Sequence, residues 1–316
     1  MRYTRPSFYD MFSCIGSECR HNCCIGWEID VDDDTAELYA SVEGTLGKEL
    51  REKISTEGER YFCMQPDGRC PFLNEQNLCR VILTLGEDAL CDICALHPRF
   101  FNSYPGREEA GLGLCCEEAV RLLLTAPEGF CLIEEQDGEQ AAEDEWTEYL
   151  AAIRKKLLAA LSNESKPFSD RYMDCCAIMQ SPALEFDPKS WVPFYRSLEQ
   201  MDRAWGDALE RLTAFELPVR WIDRLDMARY GRLFSCFLYR HFLTAKDGAE
   251  VKTRFAFCAL STAMIAALDT ADPSQADEHI RLYSAEIEYS DEMWRESAQS
   301  CENDLILTAA YDIINY

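Results

Sequence analysis

Basic residues are scarce in this chain of 316 residues: 31 Lys and Arg stand against 57 Asp and Glu, a formal net charge of −26. Sequence-independent binding to phosphate backbones depends on clustered Lys and Arg, so nucleic acid is not an expected partner. The same charge gives a well-solvated surface and attracts basic protein surfaces at low salt. Also lacking is an uninterrupted apolar run of about 18 residues. The nearest approach, 255–268, is short and contains Ser261 and Thr262, so no membrane association is expected. The opening MRYTRPSFYDMFSC has neither an apolar h-region nor a small-residue cleavage site, and the expected location is the cytoplasm. No glycine-rich loop follows a strand-like run, and no short C-x3-C-x2-C pattern occurs. Sustained period-2 alternation is missing too, which argues against a sheet.

Cysteine is what the chain has in abundance, with 17 residues. A protein of this size buries a large apolar core without covalent staples, and in a reducing compartment dense cysteine reads as metal ligation before it reads as a disulfide framework. Cys14, Cys19, Cys23 and Cys24 form a C-x4-C-x3-C-C run followed by Gly26-Trp27 one residue later, and eight more cysteines lie from Cys63 to Cys131. Zinc knuckles pair two C-x2-C units, and only one such unit occurs, Cys91 to Cys94. Several thiolates at irregular short spacing with remote partners suit an iron–sulfur cluster better, a 4Fe–4S cluster foremost, with zinc as the alternative. The remote candidates are Cys70, Cys79, Cys94 and Cys116. His21 and His97 sit among these cysteines as ligands or, more commonly, as hydrogen-bonding neighbours of ligands.

The remaining cysteines read differently. Cys131, Cys175, Cys176, Cys236, Cys258 and Cys301 have helix-like or apolar surroundings and are expected to pack as small hydrophobes, while Cys63, Cys91 and Cys115 stay undecided. His241 and His279 are expected to be structural. Two regions follow: a loop-rich, cysteine- and metal-binding region, 1–130, and an all-α helical domain, 131–316, giving a mainly α fold. The acidic stretch 134–148 marks the passage between them. Trp146, Tyr149, Leu150, Ile153, Leu157 and Leu161 recur at steps of three and four. Asp187-Pro188 opens a helix whose stripe runs through Trp191, Phe194, Leu198, Met201, Trp205, Leu209 and Leu212. Further helices are expected over about 221–245, 250–269, 275–299 and 303–314.

Four separated motifs, FSCIGSECRHNCCIGWEIDVD at 12–32, CPFLNEQNLCRVILTLGEDAL at 70–90, CALHPRFFN at 94–102 and LCCEEAVRLLL at 114–124, resemble the cysteine-cluster region of the flagellin lysine N-methylases. RLFSCFLYRHF at 232–242 extends the likeness weakly into the helical part. The resemblance places the family's metal cysteines on Cys14, Cys19, Cys23, Cys24, Cys70, Cys79, Cys94 and Cys116, and leaves Cys63, Cys91 and Cys115 as extras of this chain. His97 stands where the family more often has tyrosine. What the resemblance implies is methyl transfer from S-adenosylmethionine to lysines of a flagellin-like protein substrate, by an enzyme carrying an iron–sulfur cluster. A non-enzymatic metal-binding or redox-sensing module is the alternative. Chemistry adds that lysine must be neutral to attack a sulfonium methyl. Asp30, Asp32, Glu117 and Glu118 lie near ligand cysteines, yet none stands out as the base, so the catalytic residue stays unassigned. Trp27, with a flat face for a sulfonium, and Arg99, a fixed guanidinium for a carboxylate, are the expected cofactor contacts.

Overall fold

The computed structural model describes residues 1–55, 58–136, 143–183, 187–219, 221–224 and 227–288. Contacts gather the chain into two units. The smaller is Ser13–Phe100 with Cys116–Glu118; the larger takes Met1–Phe12, Phe101–Cys115 and the chain from Ala119 onward.

In the smaller unit, helix α1 (Asp33–Ser41) begins where Asp32 caps it, its carboxylate accepting from Thr35 N at 2.8 Å and Thr35 Oγ1 at 2.9 Å. Asp33 and Asp34 add negative charge to the positive end of the helix. The other end is closed by Arg51 on helix α2 (Gly44–Glu52), whose Nη1 donates to the carbonyls of Tyr39, Ala40 and Val42. Gly47 lets α2 lie against the Val42 carbonyl, where any Cβ would collide with backbone. Two short helices, α3 (Arg80–Leu85) and α4 (Asp92–Leu96), and isolated β-bridges supply the rest. Ile29, Val31, Tyr39, Leu46, Leu50, Phe62, Phe72, Leu73 and Val81 make the core, joined by Cys70 and Cys91. Each such side chain contributes about 1.5–3 kcal/mol on burial. Set against the conformational entropy of some 90 residues that core is small, and small units of this size commonly add a disulfide or a metal.

The larger unit holds a four-stranded sheet. Its strands are β1 (Arg2–Pro6), β2 (Arg99–Tyr104), β3 (Arg107–Leu112) and β4 (Leu132–Gln136), in the order β2-β3-β1-β4. β1 runs parallel to β3, with Arg2 opposite Arg107, and antiparallel to β4, with Arg2 opposite Gln136. This sheet corrects the expectation of none. Pro105 and Gly106, the latter at φ 72°, make the tight turn between β2 and β3. Helix α5 (Glu117–Thr125) follows β3, and α6 (Glu145–Leu161) follows β4.

The other helices are α7 (Phe168–Met179), α8 (Pro188–Ser197), α9 (Arg203–Ala214), α10 (Met227–His241), α11 (Gly248–Ala271) and α12 (Ala276–Tyr283), with a π-helical turn at Ser284–Glu288. The expected stripe from Trp191 to Leu212 is two helices. Between them Gln200 Nε2 donates to the carbonyls of Tyr195 and Leu198, Asp202 caps α9 through Ala204 N, and Met201 is 56% exposed. Side-chain hydrogen bonds to the backbone outcompete the continuation of α8. Among the described residues α11 alone is long and apolar enough to cross a membrane, but most of it is buried as the central core helix. The segment expected at 303–314, and the end of that at 275–299, lie outside the described residues.

A buried ion network links sheet and helices. Glu109 on β3 accepts from Arg154 on α6 and from Arg107 at 3.2 Å. Arg154 also donates to the Tyr239 carbonyl at 2.9 Å, and Tyr239 OH reaches the carbonyls of Thr4 and Ala110. His241 pairs with Glu288 at 2.7 Å and His279 with Asp269 at 2.9 Å, which gives both the structural role expected of them. Cys175, Cys176, Cys236 and Cys258 are buried as expected. Cys131 is not a core residue: it is half-exposed, with Sγ at 3.1 Å from the Glu128 carbonyl. Cys301 lies outside the described residues.

Candidate metal centre

The smaller unit brings its cysteines together by short local devices. Asn22 turns the chain by accepting from Cys24 N at 2.9 Å, and the Cys24 carbonyl in turn accepts from Cys70 N at 2.8 Å, next to the Ile25–Arg69 bridge. The loop from Cys70 to Cys79 is folded by Asn74, whose Oδ1 accepts from Gln76 N and Leu78 N, and by Asn77 at φ 58°. Arg69 pins it from outside through Asn74 O and Asn77 Oδ1. Leu73 bridges to Cys79, which then stands immediately before α3. Cys91 stands immediately before α4, and its carbonyl accepts from Cys94 N at 2.9 Å.

Five thiols, Cys24, Cys70, Cys79, Cys91 and Cys94, therefore belong to one apolar core. Cys70 and Cys91 are buried and the other three half-buried. Cys70 and Cys79 are electrostatic neighbours of Cys24, as Cys24 and Cys70 are of Cys94. Thiols also meet in hydrogen-bonded pairs. In the pair Cys23–Cys24, the hydrogen bond from Cys24 draws Cys23 down to about 5, with help from His97, while the same bond and burial push Cys24 upward. In the pair Cys91–Cys94, the bond from Cys94 lowers Cys91 and raises Cys94. Each pair thus holds its second proton far more tightly than its first. Burial pushes Cys70 up to about 11. Such protons are what a thiolate-binding metal displaces.

A second, looser group lies around Cys19, which is half-buried, points its Sγ at the His21 carbonyl and is pushed up to about 12 by burial. Glu117, Cys116 and Cys23 are its electrostatic neighbours. Glu117 is held by Arg20, through the backbone N–H at 3.0 Å and Nε at 3.4 Å. Cys14 is exposed, its sulfur accepting from Gly16 N. Cys63 is exposed and outside the core, and Cys115 belongs to the larger unit. Among the described residues no three of the Cys, His, Asp and Glu side chains surround the position of a single ion. A sulfur-only donor set of this kind suits thiolate-ligated clusters and zinc alike.

Of the other expected residues, Trp27 packs against the same core, donates its indole N–H to the Cys23 carbonyl and lies 6.1 Å from the His97 ring. Arg99 is half-buried at the start of β2. Asp32 is committed elsewhere. Burial alone would raise its carboxyl, but the N–H groups of Asp92 and Thr35 and the Thr35 hydroxyl outweigh that and hold it below the usual range. An open cleft of about 760 Å³ lies alongside, lined by Asp30, Asp32, Asp33, Glu59, Arg60 and Asp92 among others. Asp92 and Ile93 of α4, between Cys91 and Cys94 in the chain, also line it. Sequence reasoning missed this cleft because Glu59 and Asp92 are remote from Asp30 in the chain.

No family profile and no solved structure matches the chain. Curated relatives do. The chain is 34% identical over 140 residues to the flagellar biosynthetic protein FliU of Salmonella muenchen, covering 42% of this chain and 83% of that protein. It belongs to the flagellin lysine N-methylase family. Two family members named Lysine-N-methylase, from Salmonella typhimurium and Salmonella choleraesuis, are each 33% identical over 138 residues, again 42% of this chain. The match spans only 34% of the length of each.

Proposed function

We propose that the chain is a cytoplasmic protein-lysine N-methyltransferase that uses S-adenosylmethionine, acts on a flagellin-like protein, and carries an iron–sulfur cluster in its smaller unit. Kinship with proteins named Lysine-N-methylase is the observation that carries this reading. The crowding of five thiols in one core supports the metal part of it.

The chemistry asks three things of the protein. Lysine must arrive, lose a proton, and place its nitrogen lone pair behind the sulfonium methyl; the carbon–nitrogen bond forms as the carbon–sulfur bond breaks, with that electron pair remaining on sulfur. The acidic cleft offers carboxylates to receive a cationic side chain, and Asp30 or Glu59 there is better placed for proton transfer than Asp32, whose oxygens are already taken up by three donors. Trp27 and Arg99 remain the proposed contacts for the methyl donor, Trp27 with its ring fixed by the Cys23 carbonyl. Cys14, Cys19, Cys23, Cys24, Cys70, Cys79, Cys94 and Cys116 are the proposed cluster cysteines. When bound, a cluster would supply a staple for the thin core and an electron-accepting centre.

The test is transfer of isotopically labelled methyl from S-adenosylmethionine to purified flagellin by protein prepared without oxygen. Label in lysine, together with a rise in melting temperature on adding S-adenosylmethionine, is the expected result. Neither label nor thermal shift, in metal-loaded protein, overturns the reading.

A further inference from the structure

We propose that Cys91, which the family resemblance leaves unassigned, is a ligand of the same metal centre as Cys70, Cys79 and Cys94. This rests on the metal-binding reading above and deepens it.

Three observations place Cys91 there. It is 1% exposed within the core that also contains Cys24, Cys70, Cys79 and Cys94, whereas the other two unassigned cysteines are elsewhere: Cys63 is exposed outside that core and Cys115 belongs to the larger unit. With Cys94 it forms the only C-x2-C unit of the chain, and the Cys94 N–H to Cys91 carbonyl bond of 2.9 Å is the short turn by which such a unit offers two sulfurs to one side. The turn is also held from outside, because Asp32 Oδ2 accepts from Asp92 N at 2.9 Å, one residue beyond Cys91. A buried thiol that merely fills space needs no such clamp, as Cys258 inside α11 illustrates.

Five thiols then share this core, and a cluster of the proposed kind takes four protein sulfurs. Cys24 is the one whose neighbour, Cys23, offers its thiol a partner outside the set. The ligand set is then Cys70 and Cys79 from one loop and Cys91 and Cys94 from the other, with Cys91 taking the place that the family match gives to Cys24 and Cys24 left paired with Cys23.

The experiment compares wild type, Cys91→Ser and Cys63→Ser, purified without oxygen, for iron, sulfide and zinc per chain and for the absorption and electron paramagnetic resonance spectra of the reduced protein. Cys91→Ser is expected to lose at least half of its metal or to show a changed spectrum, with Cys63→Ser matching wild type. Metal-bearing wild type with an unchanged Cys91→Ser variant overturns this inference alone. Metal-free, folded wild type overturns the metal reading and this inference with it. If Cys91→Ser does not accumulate as folded protein, alkylation of wild type before and after chelator treatment decides the matter. Cys91 is expected to gain reactivity together with Cys70 and Cys94. If it stays as unreactive as Cys258 while Cys70 reacts, the assignment is wrong.

Discussion

In the larger unit Cys175, Cys176, Cys236 and Cys258 lie buried on helices of 12 to 24 residues. In the smaller unit the helices are five to nine residues long, and five thiols crowd a core with few large apolar side chains. The same residue type is filler in one unit and, on the proposed reading, a metal ligand in the other. Burial alone does not separate the two roles; what marks the smaller unit is that thiols from several loops share one core.

Metal removal should break the smaller unit and spare the larger, and this is the largest effect expected. On the order of 10 kcal/mol of folding free energy is at stake when a thiolate-bound metal leaves a small domain. Hydrogen exchange after chelation should show residues 13–100 exchanging freely while α10 and α11 keep their protection; equal loss in both would erase the distinction. Next in size, Glu109→Ala strands the guanidinium of Arg154 inside the larger unit. A cost of about 3–5 kcal/mol is expected, read from denaturant unfolding, with metal content unaltered.

Asp32→Ala should cost about 1 kcal/mol through the lost cap of α1, and it also frees the Asp92 N–H beside Cys91. Because the native carboxyl is held below its usual range, its stabilisation is full above the unfolded value of about 3.9 and is lost as pH falls through the lower native one. The wild-type and variant stability curves should therefore converge in acid, and curves that stay parallel down to that range would show that ionisation of Asp32 adds nothing to the cap. Smallest of all, Cys258→Ala should cost about 1 kcal/mol or less and leave metal content untouched, as elemental analysis would show.

How much of this was legible in the sequence depends on distance along the chain. α6 announces itself by its three-and-four spacing, and Asp187 caps α8 through Lys189 N at 3.1 Å as the Asp-Pro pair suggests. The break at 198–202 depends on Glu286, some 85 residues later, accepting from Met201 N and Asp202 N. Strand β3 hides because its Arg107 and Glu109 are buried and charged, which spoils any alternation; the partner of Glu109, Arg154, comes from α6. Of the family-matched cysteines, the structure gathers Cys24, Cys70, Cys79 and Cys94 into one core and leaves Cys14 exposed. Cys91 could have been weighed more heavily, since its spacing to Cys94 was visible, but its burial beside Cys70 was not.

The order of strands has a further consequence. β1 leaves the sheet at Pro6 and the chain returns to it at β2, with β1 paired to strands formed by residues 107–109 and 132–136. The cysteine segment is therefore a leash tied at both ends. When it loses its order, its ends stay knotted into the sheet, and the cost of bringing Cys24, Cys70 and Cys94 back into one another's neighbourhood is that of a closed loop and not of a free tail. On the proposed metal reading, reloading would then occur at an effective thiol concentration set by the length of the leash.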